Sequence, residues 1–148
     1  MIGLTREADG ALRIVWLLGK TGEVTDAGTI AERVAVSPKF TLKILRQLLQ
    51  GGIVCAQRGK NGGYTLAISP SDVTVRRIVE LIDGPIAINR CQADDYFCSR
   101  MGYDKGSCNF HCLFAAVSAR LARDLEAVTL EMMLSEDRCP SEFLISQK

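Results

Sequence analysis

The run Arg58-Gly59-Lys60-Asn61-Gly62-Gly63 separates two short stretches rich in apolar and β-branched residues, Ile53-Val54-Cys55-Ala56-Gln57 and Tyr64-Thr65-Leu66-Ala67-Ile68. Strand formers on both sides of a glycine-rich polar turn predict a β-hairpin with a basic tip. The glycines at 59, 62 and 63 are expected to adopt positive φ and to let the tip backbone come close to another molecule.

The segments before the hairpin carry a helical period. Ala11, Leu12, Ile14, Val15, Leu17 and Leu18 predict a buried first helix, stopped by Gly19-Lys20-Thr21-Gly22. Asp26 to Gly28 lead into a short helix over residues 29–34. Ser37-Pro38 opens a third helix to about Gln50, with the serine hydroxyl as an acceptor for a free N–H and proline at the first helical position. Phe40, Ile44, Leu45 and Leu48 form its apolar face, and Lys39, Lys43, Arg46 and Gln47 fall largely elsewhere. Beyond the hairpin, Ser71 or Asp72 is expected to cap a helix through Val75, Ile78, Val79, Leu81 and Ile82 that stops at Gly84-Pro85.

Periodicity then disappears between Ile86 and Cys112, where cysteines, glycines and polar residues dominate. It returns as Leu113, Val117, Leu121, Leu125, Val128 and Met132, which predict an amphipathic helix of about 20 residues in need of a partner. The expected class is mainly α with a small β-hairpin wing. Residues 1–84 form a winged helix-turn-helix domain, 85–112 a cysteine-rich loop, 113–135 a dimerisation helix and 136–148 a loose tail. With 148 residues and 47% hydrophobic content the chain can bury a core of its own. No long apolar run and no signal-peptide layout occur, so a cytoplasmic protein without membrane association is expected.

A net charge of +1 conceals an uneven distribution: no acid occurs between Ser37 and Ser71, where Lys39, Lys43, Arg46, Arg58 and Lys60 all lie. Taken alone, a basic helix is as well explained by a solvated surface. Joined to a glycine-rich basic hairpin it matches a winged helix, whose third helix enters the major groove while the wing reaches phosphates or the minor groove. The candidate DNA-binding residues are Ser37, Lys39, Phe40, Thr41, Lys43, Arg58, Lys60, Asn61 and Gly62. Phe40 also fits plain core packing.

Of six cysteines, Cys91, Cys98, Cys108 and Cys112 share one short window with His111, the only histidine. In a reducing compartment this density indicates metal or redox chemistry rather than disulfides. The same donors suit structural zinc, or a thiol switch without metal. Cys55 is expected to be a buried strand residue and Cys139 an exposed, incidental thiol. One histidine, no phosphate-binding glycine fingerprint and no substrate domain argue against an enzyme.

The wing motif, Leu4-Thr5, Ile30-Ala31, Ser37-Pro38-Lys39-Phe40, Ile44-Leu45 and the cysteine loop together resemble the bacterial winged-helix iron–sulfur regulators typified by IscR and NsrR, over nearly the whole chain to about Leu134. The resemblance implies a homodimer on a pseudo-palindromic double-stranded operator. It also implies a 2Fe–2S or 4Fe–4S cluster held by three cysteines, which by position are Cys91, Cys98 and Cys108, and one variable ligand. His111 matches the family's Cys-x-x-His ending, Asp9 stands where some members place a carboxylate reaching the partner's cluster, and Cys112 is a third candidate. The long interval before Cys108 and the additional Cys112 depart from the family pattern. The function so implied is transcriptional regulation, as a repressor, in response to redox state, nitric oxide or iron–sulfur status.

Overall fold

The computed structural model describes residues 3–93, 96, 98 and 108–135. In chain order the elements are α1 (Arg6–Thr21), α2 (Ala27–Val34), α3 (Pro38–Gln50), β1 (Val54–Gln57), β2 (Gly63–Leu66), α4 (Val75–Asp83), α5 (Asn109–Glu126) and α6 (Leu130–Leu134), with short 3-10 turns at Pro70–Asp72 and Arg90–Gln92. This is a mostly helical fold with a two-stranded antiparallel hairpin, paired Val54 to Leu66 through Gln57 to Gly63.

Helix α1 is the centre of the core. Its buried residues Ala11, Ile14, Val15 and Leu18 share one core cluster with Ile30 of α2, Ile44, Leu45 and Leu48 of α3, Val54 of β1 and Ile78 of α4. It starts earlier than the apolar period suggests because Thr5 caps it, its hydroxyl accepting from Ala8 N at 3.1 Å. It also runs through Gly19, which lies against the Leu130 and Leu134 side chains, and stops at Gly22 in the left-handed conformation.

Several expected devices act differently. Ser37 is the N-cap of α3, but its hydroxyl makes no cap hydrogen bond, so Pro38 alone marks that start. Thr74 rather than Ser71 or Asp72 caps α4, accepting from Arg77 N at 3.1 Å. Of the hairpin glycines only Gly59 has positive φ (115°). Gly63 is required by crowding instead: a Cβ there would lie 2.5 Å from the Thr25 carbonyl oxygen, where Thr25 and Tyr64 exchange backbone bonds of 2.9 and 2.8 Å. Cys55 is exposed, not buried, because β1 meets the core only through Val54 and its other three residues are exposed.

The predicted last helix is two helices. α5 starts at Asn109, before the apolar stripe, and ends at Glu126; the chain then turns through buried Val128. Val75 N donates to Val128 O at 2.9 Å and Leu130 N to Val73 O at 2.7 Å, which returns α6 to the core. Phe110, Leu113, Val117 and Leu121 of α5 remain exposed at 69%, 55%, 43% and 38%.

Candidate nucleic-acid interface and cysteine segment

The buried face of α3 consists of Thr41, Ile44, Leu45 and Leu48. The helical period therefore turns Lys39, Leu42, Lys43 and Arg46 outward, and with Ser37 and Phe40 they line a shallow groove. Thr41 departs from expectation as a DNA contact: it is fully buried, its position one turn before Leu45 placing it on the core side, and its hydroxyl has no hydrogen-bond partner. Phe40 is half-buried and packs against the core.

At the hairpin tip Arg58, Gly59, Lys60 and Asn61 are exposed, and Gly62 N closes the turn on Gly59 O at 3.0 Å. Among the described residues no carboxylate pairs with Lys39, Arg46, Arg58 or Lys60. Lys43 differs, since its ammonium lies 2.8 Å from Glu7 of α1. The arrangement offers four unneutralised cations from one helix and one hairpin, which suits a polyanion.

The start of the cysteine segment is fixed to α5. Asn89 Oδ1 accepts from Cys91 N at 3.2 Å, and Gln92 Oε1 accepts from Asn89 N at 3.3 Å, so the turn carrying Cys91 has a capping box. Ser118, buried in the middle of α5, accepts from Ile88 N at 3.0 Å and donates to Gln92 Oε1 at 2.9 Å. Sequence reasoning missed Ser118. A serine among the small residues of a long helix carries no signal until the turn it binds is placed.

Cys108 is the N-cap of α5, and His111 and Cys112 occupy its first turn. Cys91, Cys98 and Cys108 are half-buried, whereas Cys112 is exposed. The Nδ1 of His111 is buried and has no hydrogen-bond partner among the described residues, an unusual state for an imidazole nitrogen outside a ligand role. Asp9 is exposed and engaged by Arg13 at 3.0 Å. The donors are of the type an iron–sulfur cluster or zinc accepts. Among the described residues, however, no three of His, Cys, Asp or Glu stand close enough to hold a metal. Residues 94, 95, 97 and 99–107 of this segment and Cys139 lie outside the described residues.

A helical core whose third helix and adjoining hairpin present free cations is that of a winged-helix DNA-binding protein. The chain belongs to the Rrf2 family, described as iron-dependent transcriptional regulators, whose profile matches residues 4–136. Its members are transcriptional regulators and not enzymes. An rrf2-like HTH-type transcriptional regulator of Rhodobacter capsulatus is 34% identical over 108 residues, covering 72% of this chain and 71% of the relative. IscR of Aliivibrio salmonicida is 26% identical over 110 residues, or 73% of this chain and 62% of that protein, so the match spans less than two thirds of the relative. NsrR of Bacillus subtilis is 30% identical over 90 residues, 60% of this chain and 62% of that one. Two solved structures share the fold. CymR, the global cysteine regulator of B. subtilis, has a TM-score of 0.74 at 21% identity over 93% of this chain and all of its own. IscR of T. potens has a TM-score of 0.70 at 19% identity over 99% and 91%. Among the described residues no helix is long and apolar enough to cross a membrane.

Proposed function

We propose that this Rrf2-family regulator acts in the cytoplasm as a homodimer that represses transcription from a pseudo-palindromic operator, under control of an iron–sulfur cluster in its cysteine segment. The carrying observation is the set of unpaired cations Lys39, Arg46, Arg58 and Lys60 on α3 and the wing. In this reading α3 lies in the major groove, with Ser37 and Lys39 at its N-terminal end and Phe40 supporting them, while Arg58, Lys60, Asn61 and the Gly62 backbone follow the phosphates or the minor groove. The exposed stripe Phe110, Leu113, Val117 and Leu121 supports pairing of two copies through α5. Residues 1–84 then serve DNA binding, 85–112 sensing, 113–135 dimerisation, and 136–148 form a tail.

Cys91, Cys98 and Cys108 would hold the cluster, with His111 as fourth ligand. Their shared partial burial and the partnerless His111 Nδ1 support this set over Cys112, which is exposed, and over Asp9, whose carboxylate is engaged by Arg13. A bound cluster supplies a centre that reacts with oxidants or nitric oxide. The chain's own contribution is to present the Cys91 turn on Ser118 and the Cys108 and His111 donors at the start of α5. A second reading, in which the same thiols act as a metal-free switch or hold zinc, draws on the same donor set.

Anaerobic purification with iron and sulfide analysis, and visible spectra of His111→Ala, Asp9→Ala and Cys112→Ser, tests these readings. Cluster absorbance that His111→Ala shifts and renders labile is the expected result. Colourless protein free of iron and sulfide gives the second reading, and bleaching by Cys112→Ser alone gives an all-cysteine site.

A further inference from the structure

Four outward residues of α3 are cationic or apolar, yet one of the cations is already committed. Lys43 Nζ lies 2.8 Å from Glu7 Oε2. The two ends of this pair differ in environment: the Lys43 side chain is 60% exposed, while that of Glu7 is 19% exposed. The second carboxylate oxygen, Oε1, is buried and has no hydrogen-bond partner among the described residues. Glu7 lies in the first turn of α1, one turn before Gly10 and Ala11, both buried at the centre of the core, so it cannot move outward without disturbing that helix.

An ordinary surface pair dissolves easily, because both partners regain water. This pair is not symmetric. If Lys43 swung to a DNA phosphate, Glu7 would be left as a largely buried carboxylate with neither oxygen partnered, a state that costs far more than the surface pair contributes. The lysine would regain a counter-charge while the glutamate lost its only one.

We infer that Glu7 is a positioning residue for DNA recognition: it holds the Lys43 ammonium against α1 and withholds it from the phosphate backbone, so that Lys39 and Arg46 are the cations α3 offers. This rests on the reading of α3 and the wing as the DNA interface. It assigns Lys43 the role of seating the recognition helix on α1, and it sets the number of phosphates each protomer neutralises.

The number of phosphate contacts is read from the slope of log K against log salt, about 0.9 per contact on duplex DNA. Full-length protein is titrated, at several salt concentrations, with a duplex that it has itself selected from a random-sequence pool. Glu7→Gln removes the charge that holds Lys43 and is expected to steepen the slope by about 0.9 per protomer. Glu7→Gln/Lys43→Ala is expected to return to the wild-type slope. Lys43→Gln alone, whose amide can still donate to the Glu7 carboxylate and which keeps the test open should Glu7→Gln fold poorly, is expected to leave the slope unchanged. A shallower slope in Lys43→Gln, or no steepening in Glu7→Gln, overturns the assignment. If Arg46→Ala and Arg58→Ala leave the slope unchanged as well, the interface reading falls with it; if those two flatten the slope, the assignment of Glu7 falls alone.

Discussion

The indole Nε1 of Trp16, on α1, donates to the backbone carbonyl of Met133, on α6, at 3.1 Å. A five-residue helix does not persist by itself, so α6 depends on contacts such as this one and on Leu130 and Leu134 against Gly19. Trp16→Phe keeps the ring and loses the donor. We expect a loss of about 0.5–1.5 kcal/mol, the usual net value of one hydrogen bond, in urea denaturation followed by circular dichroism. Unchanged stability would show that α6 is held by its leucines alone.

Gly63 faces the Thr25 carbonyl so closely that no side chain fits. Gly63→Ala should separate the hairpin from residue 25 and destabilise the protein by about 1–3 kcal/mol, with operator affinity falling at temperatures where the variant stays folded. The denaturation midpoint decides it: a variant as stable as the parent would mean that the Thr25–Tyr64 bridge contributes nothing.

Asp26 caps α2, its carboxylate accepting from the Thr29 hydroxyl at 2.5 Å and from Gly28 N and Thr29 N at 2.9 and 3.0 Å. The Thr29 hydroxyl above all, with these backbone donors, holds its pKa below the ordinary aspartate value. A depressed folded-state pKa stabilises the fold above the unfolded value and ceases to do so as pH falls through the folded one, which places the loss below about pH 4. Asp26→Asn retains a capping acceptor without the titration. Its thermal midpoint should therefore decline less steeply than that of the parent between pH 5 and pH 3, the range about the reference carboxylate pKa; parallel curves would remove Asp26 from the acid response.

Leu121 is exposed on the α5 stripe, and burying a leucine in a dimer contributes about 1.5–3 kcal/mol per side chain. Leu121→Asp should yield folded monomers by light scattering and abolish tight operator binding, since half-sites would be met singly. A monodisperse dimer from this variant would place the interface elsewhere.

The helical core and the hairpin were legible because their residues repeat at 3.6 and 2 positions, and both Ser37-Pro38 and the glycine-rich tip punctuate that pattern. Boundaries departed from the sequence pattern, in either direction, wherever a tertiary contact overrode the local rule. Gly19 resembled a stop until Leu130 and Leu134 covered it, and Val128 and Met132 continued the α5 stripe in sequence while belonging to the return of the chain. The cations of the interface were legible from composition. Their availability was not, because the Glu7–Lys43 pair joins residues 36 positions apart on two different helices. Thr41 was misread because the neighbours of a polar residue decide whether it faces DNA or core.

The Ser118 clip has a mechanical consequence. It fastens the stretch around Ile88–Gln92 to the middle of α5, and the same chain rejoins α5 at Cys108, its first boundary. Both moorings therefore sit on one rigid rod, roughly 15 Å apart at 1.5 Å per residue. A displacement of the Ile88–Gln92 turn is thus delivered to the middle of α5, and one of Cys108 to its start, so the helix takes up the two at separate points along its length.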